Sequence, residues 1–147
     1  VLGLINSHEE LRVLRKNKLR SHVQVSYENI IPIENVLLKK SLYEMSKNEQ
    51  KVWNSDIINM ICGYFEDMQF LFSEFAKKMR KGGIIYFNVA NSAYYGVEVP
   101  VDYIIADIAE SCGFKVREIR KARDLKTSPQ QSAKIGKLRE SVIVIDY

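Results

Sequence analysis

The sequence has no two adjacent prolines, little cysteine or histidine, and no long apolar run. Its prolines, Pro32, Pro100 and Pro129, stand far apart. The two cysteines and two histidines lack ligand spacing, so we expect no metal site, and buried thiols rather than a disulfide. No apolar run approaches the roughly 20 residues that span a bilayer, and we expect no secretory leader, because the sequence does not open with a charged and then apolar segment. We therefore expect a cytoplasmic protein with no membrane partner.

What the sequence does have is an uneven distribution of charge. The 147 residues carry a net charge of +4. Between Lys115 and Arg139, nine lysines and arginines stand against two acids, a net charge of +7, and the remainder is near −3. A one-sided basic region is typical of proteins that bind a phosphate-rich partner. The alternative is a solvated edge strand that lysines protect from aggregation.

The first half of the chain predicts helices. Ser7 and Glu10 have the spacing of a capping box, and Val36 to Met45 shows a weaker helical pattern. The strongest pattern is "SDIINMICGYFEDMQFLFSEFAKKMRKGG", in which apolar residues recur every three or four positions until Gly82-Gly83 end the helix. The stripe consists of Ile57, Ile61, Tyr64, Met68, Leu71, Phe75 and Met79. A stripe of this kind faces a hydrophobic core.

The second half predicts strands around one more helix. "IIYFNVA" is an apolar run of strand length, so we expect burial on both faces. "NSAYYGVEVP" predicts a loop, "VDYIIADIAESCGF" a helix, and "KVREIRKAR" a half-exposed strand. "SPQQSAKIGKLRES" predicts a loop before the last buried strand, "SVIVIDY". The order predicts an α/β fold with a largely parallel sheet, in which the last two strands pair antiparallel.

Three motifs together resemble one enzyme family. "GYFEDM", "GGIIYFNV" and "SPQQ…GKLRES" are similar to the region downstream of the catalytic motif in prokaryotic DNA amino-methyltransferases. These enzymes transfer a methyl group from S-adenosylmethionine to cytosine N4 or adenine N6, often within restriction–modification systems. "LGLINSHEELRVLRKNKLRS" resembles the stretch that follows their Ser/Asp-Pro-Pro-Tyr motif.

The resemblance implies a fold and a division of the chain. It implies the C-terminal half of a Rossmann-like methyltransferase sheet, with parallel strands and a final antiparallel strand inserted between its neighbours. Residues 1–50 would be a helical and loop region that follows the catalytic motif. Residues 51–147 would be the α/β half of the methyltransferase domain.

Two motifs of the family are missing. The chain lacks the Pro-Pro-aromatic motif that holds the target amino group, so no catalytic residue is assigned and the chain alone should be inactive. It also lacks the F-x-G-x-G pattern, so S-adenosylmethionine should be bound mainly by a missing N-terminal half or companion subunit. The chain begins at Val1 rather than methionine, which suits a fragment. An exposed sheet edge would also permit a homodimer.

The resemblance also implies where DNA binds. Ligands of such sheets bind outside the carboxyl ends of the parallel strands, and a base must leave the stack to be methylated. Glutamines can pair with base edges, lysines neutralise phosphates and tyrosines stack on bases. The candidate DNA-binding residues are Ser128, Gln130, Gln131, Lys134, Lys137, Asn88, Asn91 and Tyr94, with Lys126 and Tyr95 beside them. Arg139 and Glu140 are expected to form a structural ion pair. The alternative is a solvated, lysine-rich loop.

Two other functions fit the same residues. An RNA or tRNA guanine-N2 methyltransferase shares the Pro-Pro-aromatic chemistry and would also need a basic surface. A noncatalytic nucleic-acid-binding module could keep this half-fold without the reaction. Methyl transfer to duplex DNA or to tRNA separates the two enzymes, and the upstream sequence separates either enzyme from the module.

Overall fold

The computed structural model describes residues 7–16, 19–21, 30–47, 56–127 and 135–147. The helices in these ranges are α1 (His8–Lys16), α2 (Val36–Ser46), α3 (Asp56–Lys78) and α4 (Val101–Ser111). The strands are β1 (Ile84–Ala90), β2 (Ser92–Tyr94), β3 (Val97–Val99), β4 (Lys115–Lys126) and β5 (Lys137–Asp146). Within these ranges, no helix is long and apolar enough to cross a membrane.

The main sheet has three strands in the order β1-β5-β4. β5 pairs antiparallel with both neighbours, so the prediction of a final antiparallel strand between two others is confirmed. β1 and β4 consequently run in the same direction, but β5 separates them. No described pair of strands is parallel, and the largely parallel sheet stays a prediction.

The helices α3 and α4 cover one face of this sheet. Phe87 of β1 lies opposite Ile143 of β5, and the Phe72 ring of α3 packs on Phe87 with 5.3 Å between ring centroids. α4 contacts all three strands of the sheet and packs against α3. The predicted apolar stripe of α3 lies in this core. Gly82 has the predicted left-handed conformation, with φ +84°, but it does not end the helix: α3 ends at Lys78, and Gly82 lies in the turn that follows.

The prediction that β1 is buried on both faces is wrong. Its residues alternate, and the side chains of Ile84 and Tyr86 are 44% and 65% exposed. Ile85 and Phe87 face the helices instead and pack against the core. An apolar composition shows only that a strand can be buried. Burial of both faces requires a second layer on the other side of the sheet, and the described residues do not cover the face of β1 that carries Ile84 and Tyr86.

The predicted loop after β1 is a tight β-hairpin. β2 and β3 pair antiparallel with Tyr94 opposite Val97, which leaves Tyr95 and Gly96 as the turn. Both have positive φ, 52° and 79°, as a two-residue hairpin of type I′ requires. The first residue of such a turn is normally Asn, Asp or Gly. Because that residue here is Tyr95, the sequence did not predict the turn. A left-handed tyrosine costs about 1–2 kcal/mol.

Side-chain caps stabilise the N-terminal ends of α1 and α2. The Glu10 N–H donates to Ser7 Oγ at 3.1 Å, the bond expected of a capping box. The Leu38 N–H donates to Asn35 Oδ1 at 2.9 Å. Asn35 Nδ2 also donates to Asp107 Oδ2 at 2.8 Å, so this cap ties α2 to α4.

Candidate functional site

The carboxyl ends of β1 and β4 lie at the same end of the sheet, on either side of the first residues of β5. Ala90 pairs with Glu140, and Lys126 pairs with Lys137. The β2–β3 hairpin follows β1 directly, so it belongs to the same edge. Ligands bind at such edges in α/β sheets. We call this region the carboxyl edge.

A buried carboxylate joins the elements that meet there. Asp102, in the first turn of α4, has a fully buried side chain. Its Oδ2 accepts hydrogen bonds from Arg139 Nε at 2.7 Å and from Ser141 Oγ at 2.7 Å. Its Oδ1 accepts one from the Tyr103 N–H at 2.9 Å. The carboxylate thus connects α4 to the start of β5, and no sequence motif had marked it.

Asn91, predicted to lie at the carboxyl end of β1, completes the connection. Its backbone N–H donates to the Arg139 carbonyl at 2.9 Å, and its Oδ1 accepts from the Asp102 N–H at 3.1 Å. Its Nδ2 donates to Glu98 Oε1 in the hairpin at 3.1 Å. Because Asn91 is itself buried and makes these bonds, its observed role is to hold β1, α4, β5 and the hairpin together.

Arg139 and Glu140 do not pair with each other, contrary to expectation. Adjacent strand residues point to opposite faces of a sheet, so Arg139 reaches Asp102 while Glu140 pairs with Arg123 on β4. Hydrogen bonding to Asp102, and then to Tyr103, raises the pKa of Arg139. Arg139 links β5 to α4, and Glu140 links β5 to β4. The assignment of both as structural support therefore stays a prediction, although their partners differ from those expected.

The Arg139 guanidinium borders an open cleft. Its Cζ lies 4.5 Å from the centroid of the Tyr103 ring, a cation–π distance. The cleft measures about 410 Å³ and is also lined by Asn91, Glu98 and Lys40. Arg139 Nη2 is buried without a hydrogen-bond partner among the described residues.

A second, smaller pocket lies between α3 and the hairpin. It measures about 210 Å³, and its walls include Tyr64 of α3, Ala90 of β1, and Ser92 and Tyr94 of β2. Burial raises the pKa of Tyr64, and the nearby Tyr94 raises it further. Burial likewise raises the pKa of Tyr94. Both phenols are therefore neutral hydrogen-bonding groups at physiological pH. We call this the tyrosine pocket.

The two lysines at the neck of the predicted loop face each other across the strands. Lys126 is directly opposite Lys137 in the β4–β5 register, and both side chains are exposed. Like charges directly opposite one another destabilise a sheet. Asp124 Oδ2, 3.8 Å from Lys137 Nζ, offsets part of the repulsion. Such a pair suits a bound anion.

The basic region of β4 is largely matched by acids in space. Arg117 pairs with Asp146, and Arg120 pairs with Glu118. Lys121 pairs with Asp124. The positive charge excess between Lys115 and Arg139 is therefore partly neutralised in the fold, because carboxylates of β4 and β5 lie beside these cations.

Several predicted site residues are placed elsewhere or not described. Asn88 lies on the exposed face of β1, where it helps Arg123, the main cause, to lower the pKa of Glu140. Tyr94 lines the tyrosine pocket. The four predicted loop residues Ser128, Gln130, Gln131 and Lys134 lie outside the described residues.

A clamp explains the "GYFEDM" motif. Arg20 donates to Asp67 with its backbone N–H at 2.8 Å and its Nε at 2.9 Å, and its Nη1 lies 2.6 Å from Glu66 Oε2. A Cβ at Gly63 would lie 3.0 Å from Arg20 Cδ, so glycine makes room for the arginine stem. Glu66 and Asp67 thus bind Arg20 and fasten the segment after α1 to α3.

The two cysteines show no sign of a disulfide or metal-binding role within the described residues. Both are free, with Cys62 buried and Cys112 only partly buried, whereas burial of both was expected. Within the described ranges, no group of His, Cys, Asp and Glu side chains has the arrangement to hold a metal ion.

The chain is similar to known type II methyltransferases. It is 33% identical to the type II methyltransferase M.BsoBI of Geobacillus stearothermophilus over 115 residues, 75% of this chain and 23% of that protein. It is 29% identical over 114 residues to M.AvaI of Nostoc sp. and of Anabaena variabilis, 78% of this chain and 20% of each relative. No family model and no solved structure matches.

The predicted resemblance is therefore confirmed at the level of type II methyltransferases. The chain spans only about a fifth of the length of these relatives. The similarity thus concerns one part of a methyltransferase.

Proposed function

We propose that this chain is the C-terminal part of the catalytic domain of an S-adenosylmethionine-dependent DNA methyltransferase. The enzyme would methylate the exocyclic amino group of adenine (N6) or cytosine (N4), within a restriction–modification system in the cytoplasm. The observation that carries the proposal is the similarity to type II methyltransferases over three quarters of the chain. The insertion of β5 between β1 and β4 supports it, because the resemblance implied that strand order.

DNA would approach the carboxyl edge. A phosphate would relieve the repulsion within the facing pair Lys126 and Lys137. Asn91, just after β1, and Tyr94, at the end of β2, belong to the same carboxyl edge. Asn91 would act by holding the hairpin, since its polar groups are already bonded within the protein. Ser128, Gln130, Gln131 and Lys134 would contact the target base or its neighbours, as the resemblance implies.

The phosphate contact is tested by removing both charges. In the full-length protein, we expect Lys126→Gln/Lys137→Gln to make the negative slope of log affinity against log salt shallower by about 1 to 2 for duplex DNA, since each phosphate contact contributes about −0.9 to it. The matched control is Lys39→Gln/Lys47→Gln, which removes two exposed lysines from α2 and just beyond it. An unchanged slope in the first variant would exclude the lysine pair from the interface.

Bound S-adenosylmethionine would supply the methyl group as an activated sulfonium. The described residues fit part of such a molecule, because the tyrosine pocket is apolar and wide enough for a ring. The sequence has no glycine-rich F-x-G-x-G segment. We therefore expect the remaining contacts to come from the missing half.

The partner of this chain would complete the sheet. Among the described strands β1 pairs only with β5, so its other edge is unpaired, and Ile84 and Tyr86 are exposed beside it. An unpaired strand edge next to apolar side chains is a template for a further strand. We propose that the missing N-terminal half, or a companion subunit, adds that strand; a second copy of the chain is the alternative occupant.

One assay tests the activity and the partner together. The chain alone and the product of the gene including its upstream codons are incubated with labelled S-adenosylmethionine and either unmethylated duplex DNA or tRNA. We expect methyl transfer to DNA by the longer product only, with N6-methyladenine or N4-methylcytosine identified by mass spectrometry of the nucleosides. Transfer to tRNA alone would contradict the DNA assignment. Activity of the chain alone would contradict the need for a partner, and dimers in sedimentation would then identify a second copy.

A further inference from the structure

Three charged side chains fasten the connection between α1 and α2 to the middle of α3. The backbone N–H and the guanidinium of Arg20 bind Asp67, and the guanidinium also pairs with Glu66. A second point of the same connection reaches these acids, because the Ile31 N–H donates to Glu66 Oε1 at 3.4 Å. We call Arg20, Glu66 and Asp67 the Arg20 clamp. It holds the connection at both points.

The clamp takes the place of apolar packing as the attachment of this part of the chain. A helix is usually attached to a domain by burial of its apolar side chains. Val13 and Leu14 of α1, and Leu19 after it, are instead each about half exposed. The Arg20 side chain is only 19% exposed. The buried contact of this stretch is therefore made by a charged residue.

The Arg20 clamp is an inefficient way to gain stability alone. Asp67 and Glu66 are also mostly withdrawn from water, with 19% and 26% of their side chains exposed. Moving such charges out of water has a cost that their mutual attraction often does little more than offset. α3 also carries Gly63 against the arginine stem, where glycine costs about 1 kcal/mol relative to alanine. Both features favour a role in fixing geometry.

The clamp lies beside the carboxyl edge. Ser21, the residue after Arg20, lines the tyrosine pocket together with Ala90, the last residue of β1, and Ser92, the first of β2. Because Arg20 is held through its backbone N–H as well as its side chain, the backbone at Ser21 is held next to the place where β1 ends. The clamp therefore determines where this stretch of chain meets the carboxyl edge.

From this arrangement we propose that the Arg20 clamp is a positioning device that aligns the chain before Arg20 with the carboxyl edge and thereby sets the rate of methyl transfer. The proposal rests on the proposed function, in which the catalytic motif belongs to the missing half that precedes this chain. Arg20, Glu66 and Asp67 act through the backbone they hold, and none of them touches the reacting atoms. A displacement of about 1 Å at a reacting group can lower a rate about 100-fold.

The test loosens the clamp in the full-length protein by two independent changes. Asp67→Asn keeps the size of the side chain and removes its charge. Gly63→Ala adds a Cβ 3.0 Å from Arg20 Cδ, which displaces the arginine stem although alanine favours the helix. The matched control is Glu74→Gln, which changes an acid of the same helix that pairs with Lys77 within that helix.

Two properties are measured for each variant. Values of kcat, and of KM for duplex DNA and for S-adenosylmethionine, are determined at a temperature at which circular dichroism shows the variant to be folded. Hydrogen exchange of the peptide that contains the Arg20 amide is followed by mass spectrometry. The first measurement reports the reaction, and the second reports the hold on the chain.

We expect Asp67→Asn to lower kcat about tenfold or more and Gly63→Ala to lower it about threefold, with both KM values near those of the unaltered protein. Exchange at the Arg20 amide should be faster in Asp67→Asn, because the amide loses its charged acceptor. Glu74→Gln should match the unaltered protein throughout. In an Arg20→Ala background, Gly63→Ala should lower kcat no further, since the stem that it displaces is gone.

Unchanged kcat in both clamp variants would overturn the proposal, and faster exchange beside it would show that the clamp serves stability alone. Restoration of Arg20→Ala by added ethylguanidinium would also overturn it, because the free cation returns the charge but not the covalent link to the chain. Absence of methyl transfer by the unaltered protein would instead overturn the proposed function. The two failures are distinct, since in the first the unaltered protein and Glu74→Gln remain active.

Discussion

Replacing Phe72 by alanine is expected to lower the free energy of unfolding by about 3–5 kcal/mol. Phe72 is fully buried, and its ring packs against Phe75 in α3, Phe87 in β1 and Phe114 before β4. One side chain thus joins the long helix to the sheet. Truncation removes these contacts and leaves a cavity that the surrounding strands and helix cannot fully close.

The control for Phe72→Ala is on the same helix. Phe70 is 68% exposed, so Phe70→Ala should change the free energy of unfolding by less than about 0.5 kcal/mol. Urea denaturation of the full chain, followed by circular dichroism, measures both. Phe72→Leu, which keeps most of the volume, should lose less than Phe72→Ala and remain folded if the alanine variant does not. Equal losses for Phe72→Ala and Phe70→Ala would show that α3 does not pack as described.

Replacing Asp102 by alanine is the second substitution with a large expected cost, about 3 kcal/mol. The change leaves Arg139 Nε, Ser141 Oγ and the Tyr103 N–H without the acceptor they share. Removing one member of a buried ion pair costs about 3–5 kcal/mol. Since the Arg139 side chain is 29% exposed, water can reach it in part, and we expect the lower end of that range.

A double-mutant cycle separates the pair from other effects of Asp102→Ala. The variant Asp102→Ala/Arg139→Leu no longer contains an unpaired guanidinium, so it should be less destabilised than the two single variants together. Glu110→Ala, an exposed acid on the same helix, should leave unfolding nearly unchanged. Simple addition of the single-variant losses would show that Asp102 and Arg139 do not stabilise each other.

Asp102 also shows what the sequence can and cannot predict. The spacing of apolar residues correctly predicted α4, and Asp102 occupies its buried stripe together with Ile105, Ala106 and Ala109. An acid in an apolar stripe was therefore a signal of a buried carboxylate. Its partners on β5 were not predictable, because they lie far along the chain and only the folded sheet brings them near.

The Arg20 clamp was hidden for the same reason. Gly63 in the middle of α3 costs about 1 kcal/mol relative to alanine, which indicates that something passes close to the helix there. The sequence did not say that this was Arg20. The hairpin was missed because Tyr95 adopts a conformation that its side chain disfavours, and local propensity does not predict strain that distant packing imposes.

The placement of β5 between two earlier strands affects how the protein is made. On the ribosome, β1 (Ile84–Ala90) and β4 (Lys115–Lys126) leave the exit tunnel before β5 (Lys137–Asp146). At roughly 5–20 residues per second, β1 waits for several seconds before β5 can pair with it, and the edge that β5 will occupy is meanwhile available to a neighbouring nascent chain. The β1–β5–β4 sheet cannot form until its central strand has emerged.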